Sequence, residues 1–242
     1  MDKRFIRSAA LLGEEAMQCL SSCHVAVFGL GGVGSWCAEA LARSGIGRLT
    51  LIDRDTVSES NINRQLIALS STVGRPKAEV MAERVSDINP VCRVKALTGT
   101  YDAEHREDFF SDYDYVADAI DLVSCKLDLI CSCLERGIPV ISALGTGNKI
   151  DPSLLRISDI SKTENDALAR VVRKELRTRG VLHTMVVWSP ELPLTAEQLE
   201  EPDPGRRSVP GSVPWVPSSA GLLMSSHIVT ALIEKSKKSE QP

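Results

Sequence analysis

The chain has 242 residues, of which 43% are hydrophobic and 25% are charged, and its formal net charge is −4. This composition is typical of a globular protein, and the length suffices for one large domain. No apolar run approaches the ~20 residues of a membrane span, and the charged N-terminus excludes a signal peptide, so we expect a cytoplasmic protein without membrane contact. The negative charge means that any contact with nucleic acid requires a local basic patch.

The cysteine pattern indicates reduced thiols. Seven cysteines, an odd number in a chain of this length, do not form a disulfide framework. Cys131 and Cys133 form a C-x-C pair, but the repeated C-x-x-C of a tetrahedral zinc site is absent from the sequence. We therefore predict no zinc site and expect these two side chains to pack as small apolar groups in a helix.

In the first half of the chain, short apolar runs rich in β-branched residues alternate with segments of helical period. The predicted strands are residues 24–28, 48–52, 91–97, 115–120 and 138–143, and the predicted helices are 35–44, 76–89 and 124–136. This alternation is typical of parallel strands joined by crossover helices. It predicts an α/β fold with a Rossmann-like, doubly wound, mostly parallel sheet.

Beyond residue 150 the pattern is less regular. Strands at 155–160 and 182–188 flank a helix at 165–179 and predict an antiparallel C-terminal extension. A proline-rich segment, 189–218, is predicted to be a long loop, and loops of this length are usually functional or disordered. An amphipathic helix at 220–234 is expected to dock on the body of the protein.

A glycine-rich segment follows the first predicted strand. Gly29, Gly31, Gly32 and Gly34 occupy a position where glycine permits a tight turn and lets backbone N–H groups approach a phosphate at a helix N-terminus. Asp53 ends the next strand, 53 − 29 = 24 positions later, where its carboxylate can accept hydrogen bonds from ribose hydroxyls. These residues indicate an adenine nucleotide without distinguishing ATP from NAD or FAD.

Cationic residues after this segment favour ATP chemistry. Attack on an α-phosphate builds negative charge on the phosphorus oxygens and on the departing pyrophosphate, and Arg64 and Lys77 are the side chains placed to stabilise it. A dehydrogenase leaves the pyrophosphate intact and gains nothing from such cations. Asp121 follows the fourth predicted strand, at the sheet edge where ligands of open α/β folds bind, and its carboxylate can hold Mg²⁺.

Asp53-Arg54-Asp55, Asn61-x-x-Arg64-Gln65, Pro76-Lys77 and Asp121 together resemble the adenylation domain shared by ubiquitin-activating enzymes and the bacterial activators of sulfur-carrier proteins. The resemblance implies that ATP and Mg²⁺ are bound. Asp53 would bind the ribose, Asn61, Arg64 and Lys77 the phosphates, and Asp121 the metal, with Asp55 and Gln65 in the same site. It also implies a homodimer in which an N-terminal arginine, Arg7 here with Arg4 as the second candidate, enters the neighbouring subunit's site.

The resemblance extends over the whole chain and selects one branch of this family. Gly45-Ile46-Gly47, Asp87-Ile88-Asn89-Pro90 and Gly211 to Pro217 look like the members that dehydrate threonylcarbamoyladenosine in tRNA. This implies a single adenylating domain, 1–242, composed of a helical arm (1–22), a nucleotide-binding core (23–150) and a substrate-binding extension with the C-terminal helix (151–242). The implied partners are a modified tRNA and a second copy of the chain, and docking of a sulfur-relay protein stays open.

The sequence leaves three other functions open. One is an activator of the C-terminus of a ubiquitin-like or sulfur-carrier protein, another is a nicotinamide-dependent reductase, and the third is a nucleotide-sensing scaffold without turnover. A basic segment in the 165–179 helix is either a solvated face or a tRNA phosphate contact. Its cations, opposed by Glu175 alone, are Arg170, Arg173, Lys174, Arg177 and Arg179.

Overall fold

The computed structural model describes residues 2–199, 201 and 209–239. The strands are β1 (His24–Phe28), β2 (Arg48–Asp53), β3 (Arg93–Thr98), β4 (Tyr115–Asp118), β5 (Val140–Ala143), β6 (Arg156–Asp159) and β7 (Met185–Trp188). The α-helices are α1 (Ile6–Leu12), α2 (Glu14–Ser22), α3 (Gly34–Arg43), α4 (Lys77–Ile88), α5 (Val123–Glu135), α6 (Ala167–Thr178) and α7 (Trp215–Ser239). Part of the predicted 189–218 loop, including Gly205, Arg206 and Arg207, lies outside the described residues.

The strands form one seven-stranded sheet in the order β3-β2-β1-β4-β5-β7-β6. All neighbouring pairs are parallel except β6 with β7, which is antiparallel. The predicted Rossmann-like fold with an antiparallel C-terminal extension is therefore confirmed. Only β6 is antiparallel to the rest of the sheet, whereas two antiparallel strands were predicted. The second of these, β7, runs parallel to β5 and continues the sheet.

The centre of the sheet is buried because its strands are apolar and covered on both faces. All five residues of β1 are buried between β2 and β4. On one face α3 packs through small residues such as Ala38 and Ala42, which let the helix approach closely. Helix α7 crosses α3 so closely that a Cβ atom added at Gly221 would lie 2.3 Å from the carbonyl oxygen of Val33. The C-terminal helix is thus part of the layer that supports the glycine-rich segment.

The C-terminal helix is longer than its predicted range of 220–234. It begins at Trp215, so the predicted loop ends earlier than residue 218. The prolines of this segment suggested a loop, but Pro217 lies in the first helical turn, where its missing N–H costs nothing. The indole N–H of Trp215 donates a hydrogen bond of 2.7 Å to the carbonyl oxygen of Ile150, which fixes the start of the helix.

By length and apolar composition alone, one helix within the described residues is able to cross a membrane, and it is α7. The sequence-based expectation that no apolar run approaches this length is wrong for this helix. The apolar composition of α7 is explained by packing within the protein, because several of its apolar side chains belong to the largest core cluster. These residues are Ala220, Met224, Ile228, Val229, Leu232 and Ile233.

Candidate active site

A cleft of about 790 Å³ opens at the carboxyl ends of the parallel strands. In open α/β sheets this edge is where ligands bind. Most of the residues predicted from the sequence to bind nucleotide line this cleft: Gly29, Gly31, Gly32, Asp53, Asp55, Asn61, Arg64, Gln65, Lys77 and Asp121. Two predicted residues do not line it. Gly34 is buried behind the loop, and Arg7 lies exposed on α1.

The glycine-rich turn is shaped by contacts that only glycine allows. Gly29 has a φ of 85°, and a Cβ atom there would lie 2.6 Å from the carbonyl oxygen of Ala119. Gly34 begins α3, and a Cβ atom there would lie 1.7 Å from the carbonyl oxygen of Gly29. These close approaches turn the chain directly from β1 into α3. The N-terminus of α3 therefore faces the cleft, as phosphate binding requires.

Asp53 organises the turn through both carboxylate oxygens. Oδ2 accepts a hydrogen bond of 2.6 Å from the backbone N–H of Leu30, and Oδ1 accepts one of 2.8 Å from that of Asp55. A carboxylate has about four lone-pair sites, so each oxygen can accept a further hydrogen bond from a ligand hydroxyl. Asp53 thus joins the glycine-rich turn to the following loop and still presents acceptors to the cleft.

Lys77 brings a positive charge into the cleft wall. It is the first residue of α4, its side chain is 6% exposed, and its Nζ lies 3.2 Å from Oδ2 of Asp55. Asp55 is 54% exposed, so this ion pair has a solvated partner and is weak. The Lys77 ammonium can therefore exchange Asp55 for a phosphate without leaving a buried carboxylate unpaired.

Arg64 and Gln65 lie in the segment between β2 and α4 and also line the cleft. Arg64 donates through its guanidinium to the carbonyl oxygen of Ser60 and to Oδ1 of Asn63, both at 2.8 Å. Gln65 is 8% exposed, and its Oε1 has no hydrogen-bond partner within the part of the chain that the structure describes. An unpaired buried acceptor is costly, so this atom fits a ligand that donates a hydrogen bond here.

The loop that carries Asp121 rests on a buried ion pair that sequence reasoning missed. Asp118 ends β4 and lies 2.6 Å from Nζ of Lys126 on α5, with the two side chains 0% and 1% exposed. The other Asp118 oxygen accepts a 3.0 Å hydrogen bond from the N–H of Ile120. This pair fixes the first residues after β4 and so sets the position of Asp121 at the cleft.

The second half of the cleft is formed by residues for which no role was predicted. They follow β3 and β5, begin α5 and α6, or belong to the segment before α7, and include Tyr101, Cys125, Gly145, Thr146, Gly147, Leu168, Val209, Pro210 and Ser212. Asp121 was predicted because ligands of open α/β folds bind past the carboxyl ends of the parallel strands. The same rule could have predicted that the turns after β3 and β5 line the cleft. The contributions of α6 and of the last segment depend on tertiary folding.

Asn148 holds the segment before α7 against this half of the cleft. Its backbone N–H donates to the carbonyl oxygen of Gly211 and its Oδ1 accepts from the N–H of Gly211, both at 2.7 Å. Its carbonyl oxygen accepts from the N–H of Leu194, also at 2.7 Å. Asn148 has a φ of 59°, a conformation that asparagine tolerates better than most residues. The described parts of the 189–214 segment are thus built into the site.

A family model described as "ThiF family" matches residues 4–241, almost the entire chain. The chain belongs to the ThiF family. Its fold and its glycine-rich cleft agree with that membership, since the match spans all seven strands and the helices that support them.

Two relatives and one solved structure show which members of the ThiF family this chain resembles. The chain is 45% identical to the tRNA threonylcarbamoyladenosine dehydratase of Bacillus subtilis over 96% of this chain and 95% of that protein. It is 46% identical to the Escherichia coli enzyme of the same name over 73% of this chain and 66% of that protein. The crystal structure of the E. coli dehydratase in complex with ATP superposes with a TM-score of 0.88 at 39% identity, covering 98% of this chain and 96% of that one.

The geometry of this ThiF-family turn gives a prediction for Gly34. We expect Gly34→Ala to lower the free energy of unfolding by about 1–3 kcal/mol, because its Cβ atom would meet a backbone carbonyl that cannot move aside. Gly31→Ala is the matched control, since its Cβ would find its nearest neighbour, Nε2 of Gln65, at 3.8 Å. Urea denaturation of both variants measures the difference. Equal stabilities would contradict the proposed packing of the turn.

Proposed function

We infer that the chain is an ATP-dependent adenylating enzyme that dehydrates N6-threonylcarbamoyladenosine in tRNA to a cyclic product. The observation that carries this conclusion is the match to tRNA threonylcarbamoyladenosine dehydratases along nearly the full length of both chains. The cleft supports it independently. Lys77 and Arg64 border a glycine-rich turn that can seat phosphates, as an α-phosphate attack requires.

In the first step, the carboxylate of the threonylcarbamoyl group attacks the α-phosphorus of ATP and pyrophosphate leaves. We propose that backbone N–H groups of the glycine-rich turn hold the phosphates and that Asp53 accepts hydrogen bonds from the ribose. Lys77 and Arg64 stabilise the negative charge that develops on the phosphorus oxygens and on the leaving group. Asn61, Asp55 and Gln65 are proposed to complete the nucleotide site.

In the second step, a nucleophile within the same modified nucleoside attacks the acyl adenylate and expels AMP. The oxygen removed from the carboxylate departs in AMP, so the nucleoside loses one water in total while ATP is converted to AMP and pyrophosphate. The nucleophile is tethered to the activated carbonyl, and this proximity replaces the covalent enzyme intermediate that an untethered acceptor would need.

Mg²⁺ is proposed as the second cofactor, with Asp121 as its protein ligand. Asp121 lines the cleft at the carboxyl end of β4, and a carboxylate oxygen is the type of ligand that this hard cation prefers. When bound, the ion would neutralise part of the negative charge of the phosphates. The Asp118–Lys126 pair supports this assignment, because it fixes the turn from which Asp121 extends.

Exchange of labelled pyrophosphate into ATP tests the proposal against the alternatives. We expect exchange that is stimulated by tRNA containing threonylcarbamoyladenosine and not by tRNA lacking the modification. Stimulation only by a carrier protein with a Gly-Gly tail would instead identify an activator of such a protein. Absence of exchange with every acceptor would exclude adenylation and return the question to a reductase or a nucleotide sensor.

We propose a homodimer in which Arg7 enters the neighbouring subunit's cleft. Arg7 is exposed on α1, whose Leu11 is 89% and Ile6 58% exposed, as expected of an arm that packs on a partner. Mixing an Arg7→Ala chain with a Lys77→Ala chain should then restore activity, because each heterodimer contains one intact site. Each variant alone serves as the control. Activity that stays at the level of the separate variants would contradict the cross-subunit role.

We expect a variant with all seven cysteines replaced by Ala or Ser to cyclise its substrate within about tenfold of the wild-type rate, or ~1.4 kcal/mol of barrier. Burial raises the pKa of Cys37 to about 12 and that of Cys92 to about 11, which disfavours the thiolate that a thioester enzyme needs. Cys125 lines the cleft, a position that the sequence did not reveal, and burial also raises its pKa.

Single-turnover nucleoside mass spectrometry measures this rate, and Cys125→Ala is the matched single variant. Pyrophosphate exchange that persists while cyclisation is abolished, in either variant, would demonstrate a covalent thiol intermediate.

The remaining partners follow from the proposed reaction. We propose that the enzyme acts on tRNA in the cytoplasm. The proposed chemistry transfers no sulfur and therefore requires no sulfur-relay protein.

A further inference from the structure

Three cations form an exposed row along α6. Arg170, Lys174 and Arg177 follow one another at i, i+4 and i+7 and therefore share one side of the helix. All three are exposed, whereas Ala169, Val172 and Leu176 of the same helix are buried. Within residues 2–199, 201 and 209–239, no side chain forms an ion pair with these three cations. We call this row the α6 stripe.

The other two cations of this segment, Arg173 and Arg179, have partners among the described residues, unlike the three cations of the α6 stripe. The guanidinium of Arg173 donates to the carbonyl oxygen of Thr163 at 2.8 Å, so this side chain fastens the helix to the preceding loop. Arg179 pairs with Glu175 at 3.1 Å. Glu175 is the only acidic residue of α6. Because Arg179 uses it, the charge of the α6 stripe is not neutralised within its own helix.

The α6 stripe begins beside the cleft. Leu168, in the first turn of α6, lines the cleft, and Asp166 caps this turn by accepting a 2.8 Å hydrogen bond from the N–H of Ala169. Asp166 is itself held by a buried ion pair with Lys149 at 2.8 Å. The stripe then extends from Arg170 to Arg177, or about 10 Å along the helix. Helix α6 thus begins at the cleft, and the three cations of its stripe are exposed to solvent.

We propose that the α6 stripe binds backbone phosphates of the tRNA on either side of the nucleotide that enters the cleft. This inference rests on the proposed function. The chain carries a net charge of −4, so it has no general attraction to RNA and needs a local cationic surface of this kind. Arg and Lys are the residues that neutralise phosphates, and interactions of this type position a nucleic acid without reading its sequence.

The test compares two variants with the same change in charge. In the first, Arg170, Lys174 and Arg177 are all replaced by Gln, which keeps helix propensity. In the control, the exposed residues Lys235, Lys237 and Lys238 near the end of α7 are replaced by Gln. These lie at least 18 residues beyond the cleft residue Pro217, or about 27 Å along the helix. Binding of the modified tRNA is titrated between about 50 and 200 mM salt.

We expect the α6 variant to bind tRNA at least tenfold more weakly at about 150 mM salt. The slope of log K against log salt should fall by about 2–3, because each phosphate that the protein no longer neutralises lowers the slope by nearly one. The affinity of this variant for ATP should equal that of the wild type, and so should its turnover at saturating tRNA. The α7 variant should keep the wild-type slope.

An unchanged slope in the α6 variant, with wild-type protein that binds and cyclises the substrate, would overturn this inference and leave the proposed function intact. Loss of affinity for an acidic protein, with tRNA affinity retained, would also overturn it. Wild-type protein that fails to bind or cyclise the substrate would overturn the proposed function, and the inference with it.

Discussion

Lys77→Gln is expected to slow adenylation by about 10²–10³-fold, or roughly 3–4 kcal/mol of barrier, because the variant lacks a preorganised cation at the phosphates. The side chain is 6% exposed and lies in the wall of the cleft, where its charge acts more strongly than at the surface. Most of the effect should fall on kcat, since the charge that Lys77 stabilises develops in the transition state.

Steady-state pyrophosphate exchange measures this effect, with ATP affinity measured separately by equilibrium titration. Lys95→Gln is the matched control, because Lys95 is exposed on the edge strand β3 and does not line the cleft. Stability should change little, since Asp55, the present partner of Lys77, is 54% exposed and stays hydrated. A kcat within threefold of the wild type would remove Lys77 from the proposed mechanism.

The largest effect on stability is expected for Lys126→Met. Removing one member of a buried ion pair leaves the other charge uncompensated, at a cost of about 3–5 kcal/mol. Asp118 and Lys126 are at most 1% exposed, so water cannot replace the missing partner. The double variant Asp118→Asn/Lys126→Met removes both charges and should recover much of this stability, because Met fills a volume similar to that of Lys.

Urea denaturation of the two single variants and the double variant gives the coupling energy directly. Arg179→Met, which breaks the exposed pair with Glu175, is the surface control and should cost less than about 1 kcal/mol. If the destabilising effects of the two single variants add up in the double variant, Asp118 and Lys126 do not stabilise each other in the manner proposed here.

Local sequence patterns predicted the central sheet well. Periodic helical segments follow β1, β2 and β4, and the predicted bounds of β1 to β5 differ by at most two residues from those observed. The glycine-rich turn and Asp53 were predictable because their spacing is fixed by one strand, one turn and one helix. For the same reason, most of the predicted nucleotide residues line a single cleft.

The features that the sequence did not reveal depend on residues distant in the chain or on exceptions to local rules. The Asp118–Lys126 and Lys149–Asp166 pairs connect different elements, and nothing in the local sequence marks their burial. The start of α7 was placed too late because proline usually ends helical segments, whereas Pro217 occupies a first turn that tolerates it. Cys125 joins the cleft because the start of α5 borders it.

The measurement that tests the central claim most directly is mass spectrometry of nucleosides from tRNA incubated with the protein and ATP. We expect threonylcarbamoyladenosine to be converted to a product lighter by one water, with one AMP and one pyrophosphate released per nucleoside. Omission of ATP, or the Lys77→Gln variant, should leave the nucleoside unchanged over the same interval. An unchanged nucleoside with wild-type protein and ATP, under conditions where ATP is bound, would contradict the proposed function.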